Sequence, residues 1–222
     1  YCKNKIIKDN ILLNVFDDFI TYLIIGIILG GRLGYCLFYN SSYYLENPIQ
    51  IFMIWNGGMS FHGGLIGVVM TALFFSKKHK INHFIFLDLV SLAAPIGIFF
   101  GRIANFLNSE LYGRPTDLPW SVKFMLIDNI KRHPSQLYEA IFEGIILFLL
   151  LGYFVKKNYL KKPGLISGMF LIFYSSFRFG MEFFRSPDPQ IGYVALNLTL
   201  GQFLSIVFLI LGGILFFYKK ND

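Results

Sequence analysis

The chain has 222 residues, of which 55% are hydrophobic and 15% are charged, and its formal net charge is +7. A soluble domain has about 45–50% apolar and about 25% charged residues, so this composition excludes an ordinary soluble globular protein. The mean hydropathy of +0.56 indicates an integral membrane protein. Because no polar stretch is long enough to fold alone, we predict a single integral membrane domain over residues 1–222.

The predicted elements are six transmembrane helices, since a helix needs about 20 mostly apolar residues to cross a bilayer. They cover residues 18–39, 58–75, 84–107, 136–155, 164–184 and 196–218. The connections are short except for residues 108–135, which we call the head segment, between the third and fourth helices. The predicted fold class is therefore an all-α polytopic membrane protein.

The lysines indicate the orientation of these helices. If the six spans alternate, twelve of the fourteen lysines fall on one side, and only Lys123 and Lys131 lie in the head segment. Positive charge marks the cytoplasmic side, so we predict a cytoplasmic C-terminus and an extracytoplasmic head segment. Because the lysines serve as topology anchors and no nucleic-acid module is recognisable, we expect no nucleic-acid partner.

The arginines follow a different pattern. All six lie within the predicted spans or on the outer side: Arg32, Arg102, Arg114, Arg132, Arg178 and Arg185. The lysine rule does not explain them, so we predict that this outward set meets a ligand.

The first polar motif is GGRLGYCLFYN, residues 30–40. Its glycines allow another helix to approach closely. Arg32 has two interpretations that the sequence leaves open. It is either a packing residue that orients a neighbour, with its charge reaching the interface, or a contact to substrate.

The second motif is WNGGMSFHGGLIG, residues 55–67, where glycines permit the backbone to bend and approach a ligand. His62 is the one histidine predicted inside the membrane. It is either a hydrogen-bonded helix contact or a general base, because histidine titrates near neutrality. Ser60 lies close to it, but the G-x-S-x-G elbow of many serine hydrolases is absent.

The third motif is GRIANFLNSELYGR, residues 101–114. On a continuous helix, Arg102, Asn105 and Ser109 would share one face, and Glu110 and Gly113 follow as the chain leaves the membrane. Polar groups in hydrocarbon are costly unless they are satisfied or used. The motif is therefore either a salt-bridged structural cluster or an anion site, in which arginine forks onto phosphate oxygens.

Two further motifs lie in the second half of the chain. In RHPSQLYEA, residues 132–140, Ser135 is a candidate helix cap, and a functional role is equally open. In YSSFRFGMEFFRSPD, residues 174–188, Tyr174, Arg178 and Glu182 form one helical stripe. In a purely local account Glu182 could neutralise both neighbouring arginines, Arg178 and Arg185, but one positive charge would still be in surplus on the stripe. We therefore predict a surplus positive charge that binds an anion, for which a phospholipid headgroup is the natural candidate.

These motifs, in this order, resemble the bacterial prolipoprotein diacylglyceryl transferase family from about residue 17 to the C-terminus. GRIANFLNSELYGR is similar to that family's signature, with Ser109 where the family often has glycine. The resemblance implies a seven-span enzyme, so a first helix with a functional tyrosine would precede the six predicted here. It also implies an inner-membrane location.

The activity that the resemblance implies is transfer of the diacylglyceryl group of phosphatidylglycerol to the lipobox cysteine thiol of a preprolipoprotein. A thioether forms and glycerol phosphate leaves, without a metal or cofactor. The implied catalytic residues are His62, Arg102, Arg178, Tyr174 and Glu182. The implied phosphatidylglycerol-binding residues are Arg102, Asn105, Glu110, Gly113 and Arg178. The alternative is a phospholipid-binding transporter or flippase, although the repeats expected of one are not evident.

Overall fold

The computed structural model describes residues 10–38, 41–187 and 197–221, with side chains described at these positions except 10–14 and 61. The described helices are α1 (Asn10–Phe38), α2 (Ser41–Glu46), α3 (Phe61–His79), α4 (His83–Leu107), α5 (Ser135–Lys156), α6 (Leu165–Met181) and α7 (Leu200–Asn221). Short 3₁₀ turns cover Pro48–Phe52, Ile54–Asn56 and Tyr159–Lys161.

A helix lies at each of the six predicted spans, which confirms the all-α polytopic fold. Four helices are long and apolar enough to cross a membrane: Val15–Phe38 within α1, and α4, α5 and α7; α6 is a shorter apolar helix. α3 carries lysines in its last turn. Many large apolar side chains point outward, such as Leu29 and Ile210, which is the surface that lipid covers. The predicted start of the last span, residue 196, lies outside the described residues.

The chain divides into two compact units, residues 1–87 and 88–222. In the first unit, α1 packs on α3 through glycines. A Cβ on Gly30 would lie 2.4 Å from the Gly63 carbonyl oxygen, and a Cβ on Gly63 would lie 2.2 Å from that of Gly30. Only glycine permits this approach, so the predicted close packing around GGRLG is confirmed. Phe19, Phe75 and Phe86 form the buried aromatic core of this unit.

In the second unit, α4 and α5 approach each other at Gly144. A Cβ there would meet the Cβ of Phe99 at 2.7 Å. Phe99 is one turn before Arg102, and Gly144 follows Glu143, so this contact brings an arginine of α4 beside a glutamate of α5. Residues Ala140–Ile146 of α5 form a π-helical segment, a distortion that occurs often at functional sites.

Asp88 joins α4 to the beginning of α6. Its side chain, which is 1% exposed, accepts hydrogen bonds from Gly164 N at 2.8 Å, Ser167 N at 2.8 Å and Ser167 Oγ at 2.6 Å. The N-cap residue Gly164 supplies no side-chain cap. The carboxylate from α4 therefore satisfies the amide donors that a helix N-terminus leaves open.

The head segment contains a two-stranded antiparallel ribbon, β1 (Val122–Lys123) and β2 (Lys131–Arg132). Backbone hydrogen bonds run from Gly113 N to His133 O within the head segment, and from Arg114 N to Phe184 O, which follows α6. The prediction that Ser135 caps α5 is wrong. Pro134 occupies the N-cap position, and Ser135 Oγ instead donates to Leu111 O at 3.3 Å.

Candidate active site

Two arginines from different helices meet in the second unit through shared carboxylates of α5. Arg102 Nε lies 3.1 Å from Glu139 Oε2, and Arg102 Nη2 lies 3.2 Å from Glu143 Oε2. Arg178 Nη1 contacts Glu139 Oε1 and lies 3.8 Å from Glu143 Oε1. We call these four side chains the ionic cluster. Glu139 and Glu143 are four residues apart, so both reach the same face of α5.

The carboxylates of the cluster lie deeper than the arginines. The side chains of Glu139 and Glu143 are 0% exposed, whereas those of Arg102 and Arg178 are 14% and 11% exposed. Among the described residues, neither Arg102 Nη1 nor Arg178 Nε makes a hydrogen bond or an ion pair. The arginines therefore keep donors that a ligand can take.

Glu182 extends the cluster from the end of α6. Its Oε2 lies 2.7 Å from Arg178 Nη2, as the sequence stripe predicts. Its Oε1 accepts a hydrogen bond from Thr199 Oγ1 at 3.0 Å. A Cβ on Gly201 would lie 2.9 Å from the Glu182 carboxylate. A threonine and a glycine around the start of α7 thus hold Glu182 against Arg178.

The prediction of a surplus positive charge is wrong. Three carboxylates face two guanidinium groups, so the formal charge of the group is one negative in excess. The prediction considered only Glu182, because Glu139 and Glu143 lie on a different helix from both arginines. An anion at this site therefore has to bind to the free edges of the arginines, and their full charge is not available to it.

Tyr174 and Asn105 lie close to the cluster along their helices. The Tyr174 hydroxyl interacts electrostatically with Glu143, both arginines and Glu139, and its ring stacks on that of Phe170 with a centroid distance of 5.5 Å. Asn105 is half-buried on α4, one turn beyond Arg102. The sequence stripe on α6 is thereby confirmed for Tyr174, Arg178 and Glu182.

The end of the signature motif is not a continuation of α4. The helix ends at Leu107, and Ser109 has a positive φ of 58°, so the predicted helical face of Arg102, Asn105 and Ser109 is wrong at its last member. Glu110 is exposed, and its carbonyl oxygen accepts a hydrogen bond from Gln136 Nε2 at 2.6 Å.

Gly113 occupies a position with no room for a side chain. A Cβ would lie 2.3 Å from the carbonyl oxygen of His133 and 2.9 Å from that of Phe184. Both obstacles are backbone atoms, so they cannot rotate away. The glycine is required by this close approach of three backbone segments.

Arg32 organises the loop that precedes α3. The side chain is 4% exposed, and its guanidinium lies 5.2 Å from the Tyr44 ring centroid. Its nitrogens donate to the carbonyl oxygens of Gln50, Ile51, Met53, Gly57 and Gly58. Of the two interpretations that the sequence left open, the structure supports the one in which Arg32 orients a neighbouring segment.

Two arginines of the head segment also bond to the protein itself. Arg114 Nε donates to Arg185 O at 3.0 Å, and Arg132 Nη2 lies 2.5 Å from Asp128 Oδ2. The pKa of the Asp128 carboxyl is lowered, first by its hydrogen bond with Arg132. The prediction that the outward arginines as a set meet a ligand is therefore wrong for Arg32, Arg114 and Arg132, whose donors hold loops together.

His62 lies in the first unit, at the second position of α3, and is half-buried. The preceding Ser60 is the N-cap of α3, and its hydroxyl accepts a hydrogen bond from Gly63 N at 3.2 Å. This capping role explains Ser60 without hydrolase chemistry. The ionic cluster lies in the second unit.

The sequence motifs did not single out Glu139 and Glu143, the two acids of the ionic cluster, or Asp88, the acid that caps α6. All three lie in predicted spans. The available signal was the general one that an ionisable residue within a span is rarely accidental. Among the described residues, no group of three or more His, Cys, Asp or Glu side chains is placed to hold a metal ion.

A multi-pass helical membrane protein with arginines and carboxylates paired inside its spans is of the class that binds or transforms a ligand at membrane depth, because such groups are too costly to serve packing alone. The profile of the family "Prolipoprotein diacylglyceryl transferase" matches residues 1–218. The chain belongs to this family, and it is a transferase.

Relatives from several Rickettsia species carry the name phosphatidylglycerol–prolipoprotein diacylglyceryl transferase. The one from Rickettsia bellii is 56% identical over 197 residues, which cover 88% of this chain and 75% of the relative. The one from Rickettsia felis is 53% identical over 216 residues, covering 96% and 83%. The one from Rickettsia typhi is 53% identical over 209 residues, covering 94% and 81%.

Proposed function

We propose that this chain transfers the diacylglyceryl group of phosphatidylglycerol to the lipobox cysteine of a preprolipoprotein, and that Arg102 and Arg178 bind the lipid phosphate. Family membership and the relatives' names support the reaction. The observation that carries the site is the meeting of Arg102 and Arg178 through shared carboxylates, with donors of each arginine still open.

The reaction is a substitution at a glycerol carbon. The cysteine sulfur forms a bond to that carbon while the bond from carbon to phosphate oxygen breaks. The thiol proton leaves to a base, and glycerol phosphate departs with the bonding electrons. A phosphodiester becomes a monoester, so negative charge grows on the phosphate oxygens. Guanidinium donors aimed at those oxygens stabilise this charge most in the transition state.

Each remaining residue has a role in this scheme. Glu182 orients Arg178 through the contact at 2.7 Å. Tyr174 and Asn105 supply hydrogen-bonding groups to headgroup oxygens. Glu110 lies at the exposed end of the signature motif, where the headgroup enters from the membrane surface, and Gly113 fixes the backbone turn beside it.

For the thiol proton we assign His62 as the general base, because a free cysteine thiol is mostly protonated at neutral pH and is a weak nucleophile in that form. Its place in the first turn of α3, beside the glycines that join α3 to α1, gives it a rigid helical support. The enzyme would lie in the bacterial inner membrane with its C-terminus in the cytoplasm and the head segment outside.

The test is a mass measurement. Membranes with the protein expressed from its natural gene are incubated with phosphatidylglycerol and a lipobox peptide, and the peptide is weighed. We expect a gain of one diacylglyceryl unit, lost when the peptide cysteine is serine. Arg102→Ala and Arg178→Ala should abolish the gain and still insert in the membrane. Lys123→Ala, which removes a positive charge at an exposed position, is the matched control.

Two outcomes would contradict the proposal. Near-normal transfer by either arginine variant would exclude the phosphate site. Phosphatidylglycerol that is returned unchanged, with no peptide mass gain, would favour the lipid transporter instead.

A further inference from the structure

Glu139 and Glu143 each contact both arginines of the ionic cluster. Glu139 divides its two oxygens between Arg102 and Arg178, and Glu143 does the same at 3.2 and 3.8 Å. Two guanidinium groups side by side repel each other in a membrane interior. The two carboxylates between them remove that repulsion and fix the distance between the arginines.

The arrangement has a buried side and an open side. The carboxylates have no exposed surface, whereas both arginines retain some. A ligand therefore reaches the arginines from the side opposite to the carboxylates. There it can interact with the guanidinium groups of Arg102 and Arg178 together. Glu182 adds a third negative charge on Arg178.

We propose that Glu139 and Glu143 are positioning residues that tune the affinity of Arg102 and Arg178 for the anionic lipid headgroup. They align the two guanidinium edges toward one phosphate and cancel much of the arginine charge from behind. The site then does not trap the phosphate, so the glycerol phosphate product can leave. This inference rests on the proposed function, in which the arginines bind the phosphate.

Neutralising one carboxylate should strengthen anion binding. One unit charge removed about 7 Å from the phosphate, at an effective dielectric constant near 20, changes affinity roughly 50-fold. Glu143→Gln keeps the shape of the side chain and an acceptor oxygen. We expect its KM for phosphatidylglycerol to fall roughly 10- to 50-fold, its kcat to fall, and inhibition by added glycerol phosphate to increase.

The experiment measures transfer in mixed micelles as a function of the phosphatidylglycerol mole fraction, and it measures lipid binding directly by native mass spectrometry. Binding of diacylglycerol, which carries no phosphate, should not change. Glu143→Asp keeps the charge and should not show the tighter phosphatidylglycerol binding of Glu143→Gln. Glu139→Gln repeats the test on the other carboxylate that contacts both arginines. It replaces Glu143→Gln if that variant does not fold. Asp117→Asn, at an exposed position in the head segment, is the control for a general change of charge.

An unchanged or weaker affinity for phosphatidylglycerol in the folded glutamine variants would overturn the inference, as would an equal gain in diacylglycerol binding. The arginine variants separate this result from failure of the proposed function. If Arg102→Ala is inactive while Glu143→Gln binds lipid as wild type does, only the role of the glutamates is wrong. If Arg102→Ala remains active, the phosphate site itself is wrong.

Discussion

Replacing Gly113 by alanine tests whether the signature glycine serves packing or direct substrate contact. The added Cβ would lie 2.3 Å from His133 O and 2.9 Å from Phe184 O, whereas ordinary Cβ contacts begin near 3.4 Å. The backbone segments would have to separate by about 1 Å, because steric overlap of this size cannot be absorbed by a rotamer change.

The cost follows from the contacts that the separation disturbs. Overpacking alone costs about 1–3 kcal/mol. Two backbone hydrogen bonds, Gly113 N to His133 O at 3.1 Å and Arg114 N to Phe184 O at 2.9 Å, would also weaken, at about 1 kcal/mol each. We expect a local destabilisation of about 3 kcal/mol or more in the head segment.

Hydrogen exchange followed by mass spectrometry measures this change locally. A local loss of about 3 kcal/mol raises the exchange rate of the affected amides roughly 100-fold. We expect faster exchange in the peptides around residues 113 and 133, together with reduced transfer activity. Gly97→Ala is the matched control, since a Cβ at Gly97 meets nothing within 4 Å and alanine favours a helix.

The result that would refute the steric argument is specific. If Gly113→Ala raises the KM for phosphatidylglycerol while its exchange rates equal those of the wild type, the residue acts by direct contact with substrate. The packing account would then be wrong for this position.

Three other changes have defined outcomes. Arg32→Lys replaces a guanidinium that bonds to five carbonyl oxygens by an ammonium group with three donors. At least two hydrogen bonds to a charged group are lost, which costs about 3 kcal/mol, so residues 48–58 should become sensitive to limited proteolysis. Asp88→Ala leaves Gly164 N, Ser167 N and Ser167 Oγ without their acceptor. The free energy of unfolding in detergent should fall by about 3–5 kcal/mol, whereas Ser167→Ala should lower it by only about 1 kcal/mol. Burial lowers the pKa of His133 below its ordinary value of 6.5, so the stability of the head segment should be constant above pH 6.5 and fall as the pH drops below 6.5. His133→Gln should flatten this pH profile, measured by hydrogen exchange corrected for the intrinsic rate.

Each of these predictions can fail independently. Wild-type proteolysis of Arg32→Lys would show that the loop does not depend on the guanidinium. A melting temperature of Asp88→Ala equal to that of Ser167→Ala would show that the carboxylate does not cap α6. A head segment that becomes more stable on acidification would reverse the sign expected from the lowered pKa of the half-buried His133.

Sequence patterns predicted the parts of the site that lie on one helix. Tyr174, Arg178 and Glu182 follow the helical repeat, and their stripe is confirmed because i, i+4 spacing fixes neighbours without any tertiary information. The backbone conformation at the end of α4 was harder to predict from the sequence. Ser109 adopts a left-handed backbone conformation, and the hydrogen bonds that hold this turn come from a distant part of the chain, at Ser135 and Gln136.

The partners of the arginines could not be predicted in the same way. Arg32 bonds to carbonyl oxygens, and every residue has one, so no side-chain pattern marks the acceptors. Glu139 and Glu143 meet Arg102 because α4 and α5 approach at Gly144, and nothing in either helix alone states which neighbour it will have. The predicted surplus of positive charge was wrong for this reason.

The sequence by itself determined that this is a helical membrane protein and where its helices lie, because the length of an apolar run and the need to satisfy backbone hydrogen bonds in lipid leave little choice. It also determined the family, through motifs whose order is specific. Only the tertiary structure decided which charges neutralise one another and which glycine leaves room for another backbone. Those outcomes depend on the separations between helices, and a change of a few ångströms there decides whether a buried arginine has a carboxylate or a ligand as its partner.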